Sequence, residues 1–198
     1  EFMAQEVAAT WQEYVDYQDI RVLEIGMDLA YFDHLKRLAK DLDHPLLESL
    51  VTLTIDCYNV ITVERALSLK KPNSFMKQLL SDAGTLSARE VIQCVEQGNL
   101  ISWFQQVNPL PYDVELTQYE EQMRAGRVTA ETVEYLEHVL KYRILEQASF
   151  EIDGPLPLAR YLFGKELEVK NLRLVLTGLD NQLPIDKIKE RMRPIYGQ

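Results

Sequence analysis

The side chains with the widest chemical range are few in this sequence: three histidines, His34, His44 and His138, and two cysteines, Cys57 and Cys94, among 31 acidic residues. Asp41 precedes His44 by three residues and Glu134 precedes His138 by four, so on helices each acid shares a face with its imidazole. A di-iron bundle needs two Glu-x-x-His helices plus two further glutamates, and a zinc protease needs His-Glu-x-x-His; neither pattern occurs. No metal ligand is assigned, and a metal enzyme built on the three histidines and nearby acids is the third reading of function. "DAGT" holds a single Gly and no Gly-Lys-Ser/Thr follows, so no nucleotide cradle is readable. Gly-x-Ser-x-Gly is absent, and both cysteines sit inside apolar helical patterns without a Cys-x-x-Cys pair, as reduced core thiols do. Catalytic residues and cofactors are both assigned as none.

One polar pattern is written twice. "PLLESLVTLTIDCYNVITVER" begins at Pro45 and "PLARYLFGKELEVKNLRLVLT" at Pro157, and Pro45/Pro157, Asp56/Glu168, Asn59/Asn171 and Pro72/Pro184 are each 112 residues apart. Over Pro45–Pro72 against Pro157–Pro184, seven of 28 positions are identical without a gap, where unrelated sequences give roughly two. Self-similarity at a fixed long period implies one supersecondary unit built twice. Within each helix the acid and the Asn are three apart and therefore share a face among apolar neighbours. A carboxylate and an amide buried without partners cost about 1–3 kcal/mol or more, so Asp56, Asn59, Glu168 and Asn171 are read as polar latches to a neighbouring segment. A general acid or metal ligand at Asp56 or Glu168 would need a second titratable group at the same place, and the sequence offers none.

The elements that position these residues read as helices throughout. Ala4–Ala39 shows helical apolar spacing broken near "DYQDIR" or "EIGMD"; "DLDHP" stops it, and Pro45 opens a helix to about Leu69. "VTLTIDCYNVIT" is rich in β-branched residues, but some 25 residues without a turn favour a buried helix. Asn73 or Ser74 caps a short helix from Phe75 to Leu80, "SDAGTL" is a loop, and Ser87 with Glu90 forms a capping box opening a helix toward Gln97, closed by Gly98. Further helices are expected over Val114–Gly126, Ala130–Ala148 with Thr129 as cap, Leu156–Leu176 and Pro184–Arg193. "EFM" resembles a cloning remnant and a start at residues 1–3; residues 4–107 form a first helical unit, the proline-bearing 108–113 a linker, and 114–198 a second unit.

A chain of 198 residues with 46% apolar and 26% charged residues is long enough for a sizeable core, and 8 Gly and 8 Pro are too few for a turn-rich β-sandwich. The fold class is all-α, with two similar helical units in tandem. A net charge of −10 disfavours nucleic acid and anionic lipid as partners. No stretch approaches 18 consecutive apolar residues and no signal peptide opens the chain, so direct membrane insertion is not expected and the location is cytoplasmic. "DKIKERMRP", Asp186–Pro194, is the one local concentration of positive charge, suited to a helix C-terminus or to an acidic partner.

"YFDHL" (Tyr31–Leu35), "IDCYNVITVERAL" (Ile55–Leu67), "FMKQLLSDAGTL" (Phe75–Leu86) and above all "KELEVKNLRLVLTGLDNQLPIDKIKERMR" (Lys165–Arg193) resemble the C subunit of the rotary V-type and A-type ATPases, which is similar to the eukaryotic d subunit. The departures are mild: Val63-Glu64-Arg65 stands where the family often reads Leu-Arg, and Cys57 and Tyr58 replace aliphatic or threonine-like residues. The resemblance implies a funnel of three similar helical units, of which this chain holds the second and third. It also implies a protein without an active site, seated in the central stalk on the membrane rotor ring and holding the lower end of the rotating shaft. Its partners would then be ring and shaft subunits, and its place the cytoplasmic side of the membrane, peripheral through the ring. The alternative from the residues alone is a helical adaptor unrelated to rotary ATPases.

Overall fold

The computed structural model describes residues 2–107 and 114–195, in which all regular structure is helical. The order is α1 Phe2–Tyr17, α2 Ile20–Asp41, α3 Pro45–Ser68, α4 Asn73–Leu79, α5 Ala88–Glu96, α6 Ile101–Val107, α7 Val114–Arg124, α8 Ala130–Glu146, α9 Leu156–Asp180 and α10 Ile185–Lys189. Two compact units result, residues 1–130 and 131–198, which places α7 with the first. The expected linker, 108–113, lies outside the described residues.

The first break falls at "DYQDIR": Gln18 adopts φ 52°, and Asp19 caps α2 by accepting a hydrogen bond from the Arg21 N–H at 3.0 Å. "EIGMD" stays helical inside α2. His44 caps α3, its Nδ1 accepting from the Leu46 N–H at 3.3 Å, and Pro45 takes the first helical position, where a missing N–H is harmless. By composition α3 is long and apolar enough to cross a membrane, yet it buries Leu53, Ile55, Cys57, Val60 and Val63 within the first unit. Each such side chain withdrawn from water contributes roughly 1.5–3 kcal/mol. Phe32, Ala39, Val51 and Ile55 form a core between α2 and α3, with the Tyr58 ring 4.6 Å from that of Phe32.

The capping box at α5 is present: the Ser87 N–H donates to Glu90 Oε2 at 2.9 Å while Ser87 Oγ accepts from the Glu90 N–H, and α5 closes before Gly98 at φ 64°. Three other expectations need correction. The last helix, expected over Pro184–Arg193, ends at Lys189, because the main chain of Arg193 is taken by Asn171. The cap of α4 is Pro72, not Asn73 or Ser74, because the proline ring already sets the extended entry and its carbonyl accepts from the Phe75 and Met76 N–H groups. α9 runs on past Leu176 to Asp180, with Gly178 helical and buried in its last turns. A further helix, α6, is one that the sequence pattern does not predict; it is only seven residues long and is held by burial of Trp103 and Phe104.

The 112-residue spacing seen in the sequence reappears in backbone detail. α3 ends at Ser68 and α9 at Asp180; Lys70 at φ 54° corresponds to Gln182 at φ 56°, and α4 and α10 start at Asn73 and Ile185. The same terminal turn closes both long helices, with Lys71 N–H donating to Ala66 O at 2.9 Å and Leu183 N–H to Gly178 O at 2.8 Å. Ala66 and Met76 are thus matched by Gly178 and Ile188. A Cβ on Gly178 would stand 2.7 Å from Ile188 Cδ1 and 2.8 Å from its Cγ1, both on a stiff, β-branched side chain. Ordinarily Gly→Ala inside a helix stabilises by about 1 kcal/mol. Here we expect Gly178→Ala to destabilise by about 1–3 kcal/mol through overpacking, read by thermal or urea unfolding; a gain in stability would mean that α10 is not seated on α9 as described.

Candidate functional site

Asn59 projects from the middle of α3 and is fully buried. Its Nδ2 donates to the Ser81 carbonyl at 2.8 Å and its Oδ1 accepts from the Ser81 N–H at 3.0 Å, so the side-chain amide pairs with both main-chain groups of one residue, as a neighbouring strand would. Asn171, 7% exposed on α9, does the same to Arg193: its Nδ2 donates to the Arg193 carbonyl at 3.0 Å and its Oδ1 accepts from the Arg193 N–H at 2.8 Å. In each unit the partner lies 22 residues after the Asn, just beyond the short helix α4 or α10. Each loop carbonyl and N–H is thereby satisfied inside the protein at a place where no helix ladder reaches it.

Asp56, one turn before Asn59, is 1% exposed, and its Oδ1 accepts from the Thr85 N–H at 2.7 Å. Gly84 makes this approach possible, since a Cβ there would stand 2.2 Å from the same oxygen. Oδ2 has the Trp103 indole N–H close enough to pull on it but outside hydrogen-bond geometry. Burial pushes the Asp56 carboxyl above its ordinary value, against the opposing pull of Thr85, Trp103 and Lys36. A raised acid binds its proton more readily folded than unfolded, so its contribution favours the fold at low pH and is lost as pH rises through the folded value. Glu168 occupies the corresponding place on α9 but is half exposed, and its Oε2 accepts from Lys165 Nζ at 2.7 Å, a surface pair of little consequence for stability. Position 197, which would correspond to Thr85, lies outside the described residues.

The remaining chemically capable side chains do not converge. Among the described residues no three His, Cys, Asp or Glu side chains are grouped as metal ligands. His44 serves as the α3 cap. His138 lies against Lys170, Nε2 to Nζ 2.6 Å, and stacks at 6.4 Å on Phe163. Burial, followed by the positive charges of Lys170, Arg193 and Lys141, lowers it to about 4 despite Glu166, so it is neutral at pH 7. The fold therefore loses stability at this group as pH falls from 6.5 toward about 4. An open cavity of about 550 Å³ in the second unit runs past His138, Lys170, Arg173 and Arg193. Cys57 is in the core; Cys94 is half-buried, its thiol pushed up by burial and by Glu90, which makes it a poor nucleophile. In the basic stretch, Lys187 and Lys189 lie in the last turn of α10, and Lys187 pairs with Glu190 at 2.8 Å.

Fold and site together define an all-α protein whose buried polar side chains close on its own backbone. Residues 2–191 match the family described as ATP synthase (C/AC39) subunit, and the chain belongs to that family. It is 30% identical over 177 residues to the C subunit of the V-type sodium ATPase of Enterococcus hirae, an alignment covering 88% of this chain and 52% of that protein. The chain thus spans about half the length of the curated relative it matches. No solved structure matches it.

The double pairing predicts the effect of removing either amide. Asn59→Leu and Asn171→Leu each leave a peptide N–H and C=O without partners and are expected to destabilise by about 1–3 kcal/mol, more at the fully buried Asn59. Unchanged melting temperatures in both variants would show that neither contact matters to the fold.

Proposed function

We propose that this chain is a non-catalytic piece of a rotary V/A-type ATPase, a connector in the central stalk that couples the rotating shaft to the membrane rotor ring for ion transport. The observation that carries the reading is the family match over residues 2–191, supported by the relative, the C subunit of a V-type sodium ATPase. A connector of this kind transmits torque, which requires a body that resists shear. Long helices tied to their return segments by buried amide pairs suit that requirement, because close-packed interiors with satisfied polar groups deform little. In this reading Asn59 and Asn171, with Asp56, act as clasps and take no part in chemistry, while Glu168 stands at the surface.

The site of action is the cytoplasmic side of the membrane, held there through the rotor ring and not by insertion. With a net charge of −10, basic stretches of ring and shaft subunits are the complementary partners, and electrostatic attraction of this sort favours association rate and orientation. Chemical cross-linking of the intact rotary complex tests the reading. Peptides of this chain are expected to be linked to both ring and shaft subunits; absence of the chain from the complex, or links confined to the nucleotide-binding subunits of the head, would overturn it.

A further inference from the structure

The cavity of about 550 Å³ in the second unit is walled by α8, by α9 and by the segment that follows α10. Glu134, Glu137 and His138 share one stripe of α8, Lys170 and Arg173 stand three apart on α9, and Arg193 belongs to the segment whose main chain Asn171 holds. The charges on this wall are unevenly matched. Glu137 is taken by Lys141 at 2.5 Å and Glu166 by Lys170 at 2.7 Å, and Glu134 is also engaged. Arg173 is exposed at the cavity and forms no hydrogen bond or ion pair among the described residues. Arg193 meets no carboxylate either: its Nη1 donates to the Arg191 carbonyl at 2.9 Å, and its Cζ lies 6.0 Å from the centre of the Tyr135 ring. Two N–H donors of the wall are closed off from water and find no acceptor among the described residues. One is Arg193 Nε; the other is His138 Nδ1, assigned the ring proton because Nε2 accepts from the Lys170 ammonium at 2.6 Å.

We propose that this cavity binds a small phosphate-type oxyanion, held by Arg173 and Arg193 beside His138. A guanidinium presents a planar fork of N–H donors that matches two oxygens of such an ion at once, and two of these forks stand here without a carboxylate. A tetrahedral ion has oxygens enough for both arginines; a planar carboxylate is used up by one. Buried N–H groups without an acceptor are rare and costly in native proteins, and an oxyanion is purely an acceptor. A cation is disfavoured, because the wall already carries positive charge that its acids do not offset and no metal-ligand group occurs among the described residues. Burial, then the charges of Lys170, Arg193 and Lys141, keep the imidazole uncharged, so it adds an N–H to the site and no positive charge that would have to be neutralised. The chain as a whole carries −10, so attraction of anions is a local property of this wall. The cavity is open, and the phosphate arrives either as the free ion or as the end of a small monoester.

NMR of the histidine rings in the purified chain tests the proposal, because His34 and His44 lie in the first unit and act as internal controls. Inorganic phosphate is added at pH 7 with ionic strength held constant by sodium chloride. The His138 signals are expected to shift saturably, with half-saturation at about 1 mM or below, while those of His34 and His44 stay in place. Glycerol phosphate is titrated in parallel: equal binding shows that the site takes monoesters, and weaker binding that it takes the free ion. Arg173→Gln alters an exposed side chain, and Arg193→Gln keeps the main chain that Asn171 holds, so both are expected to fold, with circular dichroism as the control. Each is expected to weaken phosphate binding at least ~10-fold, the loss of one charge-assisted hydrogen bond, and Arg173→Lys to weaken it less. No saturable shift at His138, equal shifts at all three histidines, or an affinity indifferent to both glutamine variants would overturn the site. None of these readouts depends on the rotary-ATPase reading.

Discussion

A carboxamide sealed inside a helical core is stable only if something of matching geometry meets it, and in this protein the main-chain N–H and C=O of one residue do so. Asn59 reaches from α3 to both hydrogen-bonding groups of Ser81, and Asn171 reaches from α9 to both of Arg193. Each contact fixes where the chain passes after its short helix. In the first unit the consequences continue outward: with Ser81 held, Thr85 is close enough to donate to Asp56, Gly84 fits over that carboxylate, and the Ser87 capping box can begin α5. Remove the amide and the loop loses the partner that its backbone cannot find elsewhere.

The two copies hold the same geometry with different side chains. Ser81 and Arg193 share no chemistry, yet both are bound, because the contact is made to the main chain and ignores what the residue carries. Ala66 with Met76 and Gly178 with Ile188 likewise distribute volume differently at matched positions of the same closing turn. The acid position is less constant: Asp56 is buried against a loop, whereas the longer Glu168 pairs outward with Lys165. What recurs is therefore the asparagine, the terminal turn and the proline-led short helix.

Much of this was legible in the sequence, and the reasons are local. Pro45, the Ser87–Glu90 pair and Gly98 act through backbone geometry within a few residues, so their helix boundaries could be read directly. The all-α class followed from helical periodicity and low Gly and Pro content. The elements that escaped depend on distant contacts. α6 is too short to show a period and exists because Trp103 and Phe104 are buried; the last turn of α9 extends past Leu176 because Ile188 packs in the space that Gly178 leaves. The acid and the Asn share a helix face in the sequence, but which segment returns to meet that face is a tertiary fact, and it separates Asp56 from Glu168.

The most direct measurement is residue-resolved hydrogen exchange at the Ser81 and Arg193 amides, which report the clasps and nothing else. If the buried asparagines hold these loops, both amides exchange as slowly as the helix-interior amides of α3 and α9. Exchange of either at the rate of an exposed loop would mean that its clasp is open in solution and would contradict the account.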